Sequence, residues 1–172
     1  SDDGHSTISR NIIFADESSK ATIVQELYSP QIKTQQAYLE LLNTNIAANA
    51  QLDITTLQMM DQHAVTFSTR HTDLAQDAKV NWYSGLFGSM LSRYKTEYFL
   101  NGSGASSNDS EVIFGNNEQS FDIQTNVIHE SPSTEGRVVE KSILRNKSKS
   151  LFKGMIRIKE NATKSNSFLS GR

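Results

Sequence analysis

The chain has 172 residues, no cysteine and a net charge of −2 from 17 Lys/Arg against 19 Asp/Glu. That length suits one domain with a real core. The missing thiols exclude disulfides, thiolate metal sites and a cysteine nucleophile, and the balanced charge gives no whole-chain case for nucleic acid or membrane. His5, His63, His71 and His129 are scattered without HxH or HxxxH spacing, which argues against a zinc enzyme. No apolar run approaches the roughly 18 residues of a membrane helix, and no basic-then-apolar leader is visible, so neither a span nor a signal peptide is expected. A chain that opens on Ser1 and closes on Ser170, Gly171 and Arg172 reads as a piece of a longer one, with 1–172 a single domain.

Alternation of apolar and polar residues is the dominant signal and predicts strands. Asn11–Phe14 and Ala21–Leu27 read as two strands around the turn Asp16–Lys20. Segment 31–42 is ambiguous: its Gln, Ala and Leu suit a helix, while Leu39, Leu41 and the strand-rich neighbours lean it towards strand. Gln51–Leu57 sets Leu52 and Ile54 on one face against Asp53 and Thr55 on the other. Lys79–Tyr83, Glu111–Phe114, Phe121–Val127 and Met155–Lys159 follow the same pattern, the last with Ile156 and Ile158 inward and Arg157 and Lys159 outward.

A loose repeat of polar turn, small residue, spacer and apolar residue recurs at Ala21, Ala50, Ala78, Ser148 and Ala162. The first steps are 29 and 28 residues. Strand–turn units that cannot bury their faces alone stack into a solenoid, and a parallel β-helix coil fits this period. An antiparallel sandwich is the alternative on pattern alone. Charge also divides along the chain: residues 141–172 hold nine Lys/Arg and one acid, residues 1–140 eight Lys/Arg and 18 acids. With only Phe152 and Phe168 available to stack, the basic stretch reads as a solvated sheet face or a dock for an acidic subunit, not a nucleic-acid groove.

Catalytic constellations are absent from the sequence. No GxSxG elbow supports a serine nucleophile. Asn101–Ser107 is Gly-rich but lacks the Lys-Ser/Thr of a phosphate cradle, so it reads as a loop between strands. Asp2/Asp3 and Asp16/Glu17 sit in terminal or turn contexts where carboxylates are solvated. Asn-x-Ser/Thr sequons begin at Asn101, Asn108, Asn146 and Asn161 and matter only in a secreted protein. His129 ends an alternating strand; a hydrogen bond to a neighbour is its default role and a functional one the minority reading. Trp82 and Tyr83 read as core or edge aromatics.

Phe121–Glu130 resembles the strand ending in His in SufB and SufD, scaffold subunits of the SUF iron–sulfur cluster assembly system. Ser133–Ile158 resembles the same family's segment of Ser/Thr-rich turn, strand, basic turn and Phe-x-Gly-x-Ile-x-Ile, matched by Phe152, Gly154, Ile156 and Ile158. Asn161–Ser170, Leu74–Val80 and Gly88–Arg93 also fit, the last closer to the SufD branch, with the match strong over 75–170 and weak over 10–75.

The resemblance implies a right-handed parallel β-helix and a cytoplasmic, non-catalytic scaffold. Its partners would be a SufB/SufD-type subunit, in a homo- or heterodimer, and a SufC-type ABC ATPase docked mainly through C-terminal helices beyond this sequence. It implies a nascent iron–sulfur cluster only at the level of the whole complex, with no cofactor in this chain and no ligand role carried to His129. A solenoid with open ends exposes unpaired edges, and the expected dimer edge is the last rung, around Leu151, Phe152, Gly154, Ile156 and Ile158. Two other classes remain open: a polysaccharide-acting β-helix enzyme, which needs clustered Asp on adjacent rungs, and a structural solenoid such as an adhesin or fibre segment.

Overall fold

The computed structural model describes residues 6–31 and 33–172, and among them there is no helix. The strands are β1 (Ser6–Ala15), β2 (Lys20–Tyr28), β3 (Gln36–Ile46), β4 (Gln51–Met59), β5 (Ala64–Leu74), β6 (Lys79–Leu86), β7 (Leu91–Leu100), β8 (Ser106–Gly115), β9 (Ser120–His129), β10 (Glu135–Leu144), β11 (Lys149–Ile158) and β12 (Asn166–Gly171). Each pairs in parallel with the strand two places on, never with its sequence neighbour. Odd strands build one sheet and even strands the other, so each odd–even pair is one rung of a two-sheet solenoid. A sandwich is thereby excluded, because parallel neighbours need the chain to travel a full circuit between them. Gln36 stands beside Ala64, a step of 28 residues, and Val65 beside Leu91, a step of 26. The ambiguous segment resolves as strand from Gln36 onward, while Ile32 lies outside the described residues.

One corner of the coil explains the repeat. Between the odd and even strands of each rung, one residue adopts a left-handed backbone: Ser18, Asn49, Asp77, Gly104, Ser133 and Lys164, with φ between 55° and 73°. Asn, Asp and Gly tolerate that conformation best. The next residue turns inward and carries the corner ladder, in which Gln51 N donates to Ser19 O, Lys79 N to Ala50 O, Ser106 N to Ala78 O and Glu135 N to Ala105 O. Ala50, Ala78, Ala105 and Thr134 are fully buried there, which is why the repeat demands a small side chain.

Three of the sequence assignments shift. Lys20 pairs with Gln51, so Ser19 and not Ala21 aligns with Ala50. Ser148 belongs to the opposite corner, where it accepts from Arg145 N at 3.1 Å. Ala162 lies in the correct turn but ahead of the register position, which Ser165 occupies beside Thr134. The longer β11–β12 connection hid that offset.

The core is divided along the rung. Near the small-residue corner it is apolar, with Ile46, Leu52, Ile54, Leu74, Val80 and Leu100 buried together. Towards the middle, the inward residues turn polar. On β5 the buried face is Thr66, Ser68, Arg70 and Thr72, while Val65 and Phe67 face outward. Leu39 and Leu41, which lean segment 31–42 towards strand, likewise stand on the outer face, and Glu40 between them points in.

Candidate functional site

Two regions carry chemistry: the polar lumen and the C-terminal edge. Alternation on β5 and β6 sends Arg70 and Trp82 inward from opposite sheets. The Arg70 guanidinium lies 4.8 Å from the ring centres of both Trp82 and Tyr94, and such stacking compensates a desolvated cation. Its Nη1 donates to Ser84 Oγ at 3.1 Å, and its Nε is 3.8 Å from Glu40 Oε2. Glu40 is well supplied with donors: Ser68 Oγ reaches Oε2 at 2.6 Å, and the Gln25 side-chain amide reaches Oε1. A relay feeds that amide, since Trp82 Nε1 donates to Thr56 Oγ1 at 3.3 Å and Thr56 donates to Gln25 Oε1 at 3.2 Å.

β8 places Asp109 and Glu111 inward, two residues apart on one face and fully buried. Tyr98 OH donates to Asp109 Oδ2 at 3.0 Å. Burial pushes the Asp109 carboxyl up to about 6, against the lowering effect of that hydrogen bond and of Arg70. Glu111 is raised well above the ordinary glutamate value, first by burial and then by the charge of Asp109. Tyr94 and Tyr98 are raised as well, chiefly by burial.

His129 is buried at the end of β9, its Nδ1 2.7 Å from Thr134 Oγ1, and burial lowers its pKa. Its position is the strand-end hydrogen bond that the sequence reading makes the default. The other histidines fall elsewhere: His63 Nδ1 lies 2.8 Å from Asp61, and His71 Nε2 2.9 Å from Asp73 on the outer face. His5 and the Asp2/Asp3 pair lie outside the described residues. Among the described residues no three His, Asp or Glu side chains are grouped as metal ligands. Asn101–Ala105 is the turn between β7 and β8, with Ser106 and Ser107 already in strand.

Among the described residues, β11 is the last strand of the odd sheet and pairs with β9. Phe152, Gly154, Ile156 and Ile158 continue the inward columns of β9, since Ile156 aligns with Val127 and Ile158 with His129. Ile156 is half-buried and Ile158 is 50% exposed, so the inward assignment of Ile158 holds for direction but not for burial. Leu151 and Met155 face outward, 51% and 45% exposed. No single segment brings the lumen residues together: Glu40 and Arg70 lie on different rungs, and the inverted face of β5 is the trace they leave in the sequence.

The described residues thus form a parallel two-sheet solenoid with a charged lumen. The chain matches the family model "SUF system FeS cluster assembly, SufBD core domain" over residues 1–172, and it belongs to that family. Among curated proteins it is similar to iron-sulfur cluster assembly SufBD family proteins of Staphylococcus epidermidis, Staphylococcus haemolyticus and Staphylococcus aureus. Each is 25% identical over 147 residues, covering 86% of this chain and 32% of the relative. The chain therefore spans about a third of the length of the curated relatives it matches. No helix among the described residues is long and apolar enough to cross a membrane.

Proposed function

We propose that this chain is the β-helix core of a non-catalytic, cytoplasmic scaffold in SUF iron–sulfur cluster assembly. It pairs through the β11 rung with a SufB/SufD-type subunit and works with a SufC-type ABC ATPase bound by parts of the protein outside this core. The nascent cluster is cargo of the complex, and its ligands come from elsewhere, since this chain has no cysteine. The observation that carries the reading is the match of this two-sheet parallel solenoid to the SufBD core-domain model over residues 1–172; Leu151 and Met155, exposed on the outer face of β11, support pairing there. A glycan-cleaving role has less support, because the paired acids Asp109 and Glu111 are sealed inside the lumen.

The test is association in solution. Light scattering on the full chain should give a mass that rises from monomer to dimer with concentration, or with an added SufB/SufD-type subunit. Ile158→Lys with Leu151→Lys should hold it monomeric. A wild-type mass that stays monomeric under both conditions overturns the β11 pairing. Failure of the naturally extended protein to capture the ABC ATPase overturns the ATPase partnership.

A further inference from the structure

The lumen carries more negative groups than it neutralises. Glu40, Asp109, Glu111 and Glu140 are all buried on inner faces, and Arg70 is the buried cation that answers them. Arg70 is drawn to Glu40, and Glu40 has the Ser68 and Gln25 donors of an ionised carboxylate. Ser142 Oγ is hydrogen-bonded to Glu140 Oε1. The β8 pair is different. Asp109 Oδ1 and both carboxylate oxygens of Glu111 are buried without a hydrogen-bond partner. An interior carboxylate without donors is far costlier than the neutral acid, which needs none of them.

The register sharpens the point. Glu111 lies abreast of Ser84 on β6 and of Glu140 on β10, at the ~4.8 Å spacing of neighbouring strands. Three acids thus meet on two adjacent strands, and like charges so close do not all ionise. From the other elements, the groups facing them are Arg70 on β5, and Tyr94 and Tyr98 on β7, the last donating to Asp109. Arg70 Nε and Nη2 are also buried without a hydrogen-bond partner, Nε standing 3.8 Å from Glu40 Oε2. Buried water bridging polar groups of this kind is a normal part of a fold.

We propose that the Asp109–Glu111 pair is a proton-binding site inside the solenoid, loaded at neutral pH, and that releasing its proton loosens the rungs built by β7 to β10. With the proton on Glu111, the pair bears one charge near Arg70 and the rungs close. Without it, the added charge draws water into the lumen beside β8 and β10. Burial, which pushes both carboxyls up, accords with this geometry.

The experiment is infrared difference spectroscopy of the full chain in D2O, with hydrogen exchange of the same protein. Wild type at about pH 7 should show the C=O stretch of a protonated, buried carboxyl, and Glu111→Gln should remove it. Backbone protection in β8–β10, corrected for intrinsic exchange, should fall about tenfold per pH unit while the solution is above the free glutamate value and below the buried one. In Glu111→Gln that slope should flatten. If this variant does not fold, Asp109→Asn is read in its place, and it should lower the pH at which the band disappears. A wild type without the carboxylic acid band at neutral pH, or a band indifferent to both substitutions, overturns the site. Protection that does not change with pH overturns the loosening.

Discussion

At the scale of single residues, the two demanding positions are the small inward residue of the corner and Arg70. Ala78 and Ala105 have no exposed surface and sit directly after a left-handed residue, so a larger side chain must displace the rung beside it. Ala105→Leu should lower stability by about 1–3 kcal/mol, the usual cost of overpacking, read as a lower urea midpoint with unchanged slope. Arg70→Ala removes the guanidinium between Trp82 and Tyr94 and leaves Glu40 without its buried counter-ion. The expected loss is about 3–5 kcal/mol in the same assay. Glu40→Gln added to Arg70→Met should recover part of it, because the pair then leaves no buried charge. His129 gives a pH signature of its own. Its pKa is depressed by burial, so the unfolded chain takes up the proton first, and the stability His129 contributes is lost as pH falls below the free histidine value of about 6.5. His129→Asn should flatten the acid limb of a melting-temperature profile.

At the scale of elements, strands were legible where apolar and polar residues alternate cleanly, whereas β5 and β7 went unnamed and facing was legible only in part. Every alternating segment named from sequence lies in a strand, because period-two patterning is read directly from the chain. Facing failed where the interior is polar. β5 buries Thr66, Ser68, Arg70 and Thr72 and turns Phe67 outward, so hydrophobicity points to the wrong side. β1 does the same at the other end, with Ile8 and Phe14 each 75% exposed while Ser9 and Asn11 face in. The Glu40–Arg70 pair had no local signature, since its members are one coil apart and meet only after the rungs stack. The facing of β11 was readable because Ile156 and Ile158 alternate with Met155 and Arg157 within one segment. Gly154 in that strand is tight: a Cβ there would come within 2.1 Å of Leu169 in β12. Gly154→Val should therefore weaken the last rung, seen as faster hydrogen exchange in β11 and β12 with little change in β3 to β6.

At the scale of the whole molecule, positive charge gathers in the last strands. Of its nine Lys/Arg from residue 141 onward, Lys147, Lys153 and Lys159 pair with Glu118, Asp122 and Glu130 of the rung before. Those pairs are mostly exposed and contribute little stability each. They still leave a positive rim around the apolar edge, a surface that favours an acidic partner over a like-charged copy. Association with an acidic SufB/SufD-type subunit should then weaken as salt rises from about 0.1 M to 1 M, while self-association strengthens as repulsion is screened. Sedimentation at both salt concentrations separates the two.

The parallel coil also sets how the molecule bears load. Each rung is held by the one before and the one after, with no strand reaching further along the axis. A pull applied across the two ends therefore meets a stack of separable interfaces in series, not one shared core. Under tension the chain should pay out in steps of one coil each, starting from whichever end is uncovered, and a partner seated on β11 would act as a clamp against that unravelling.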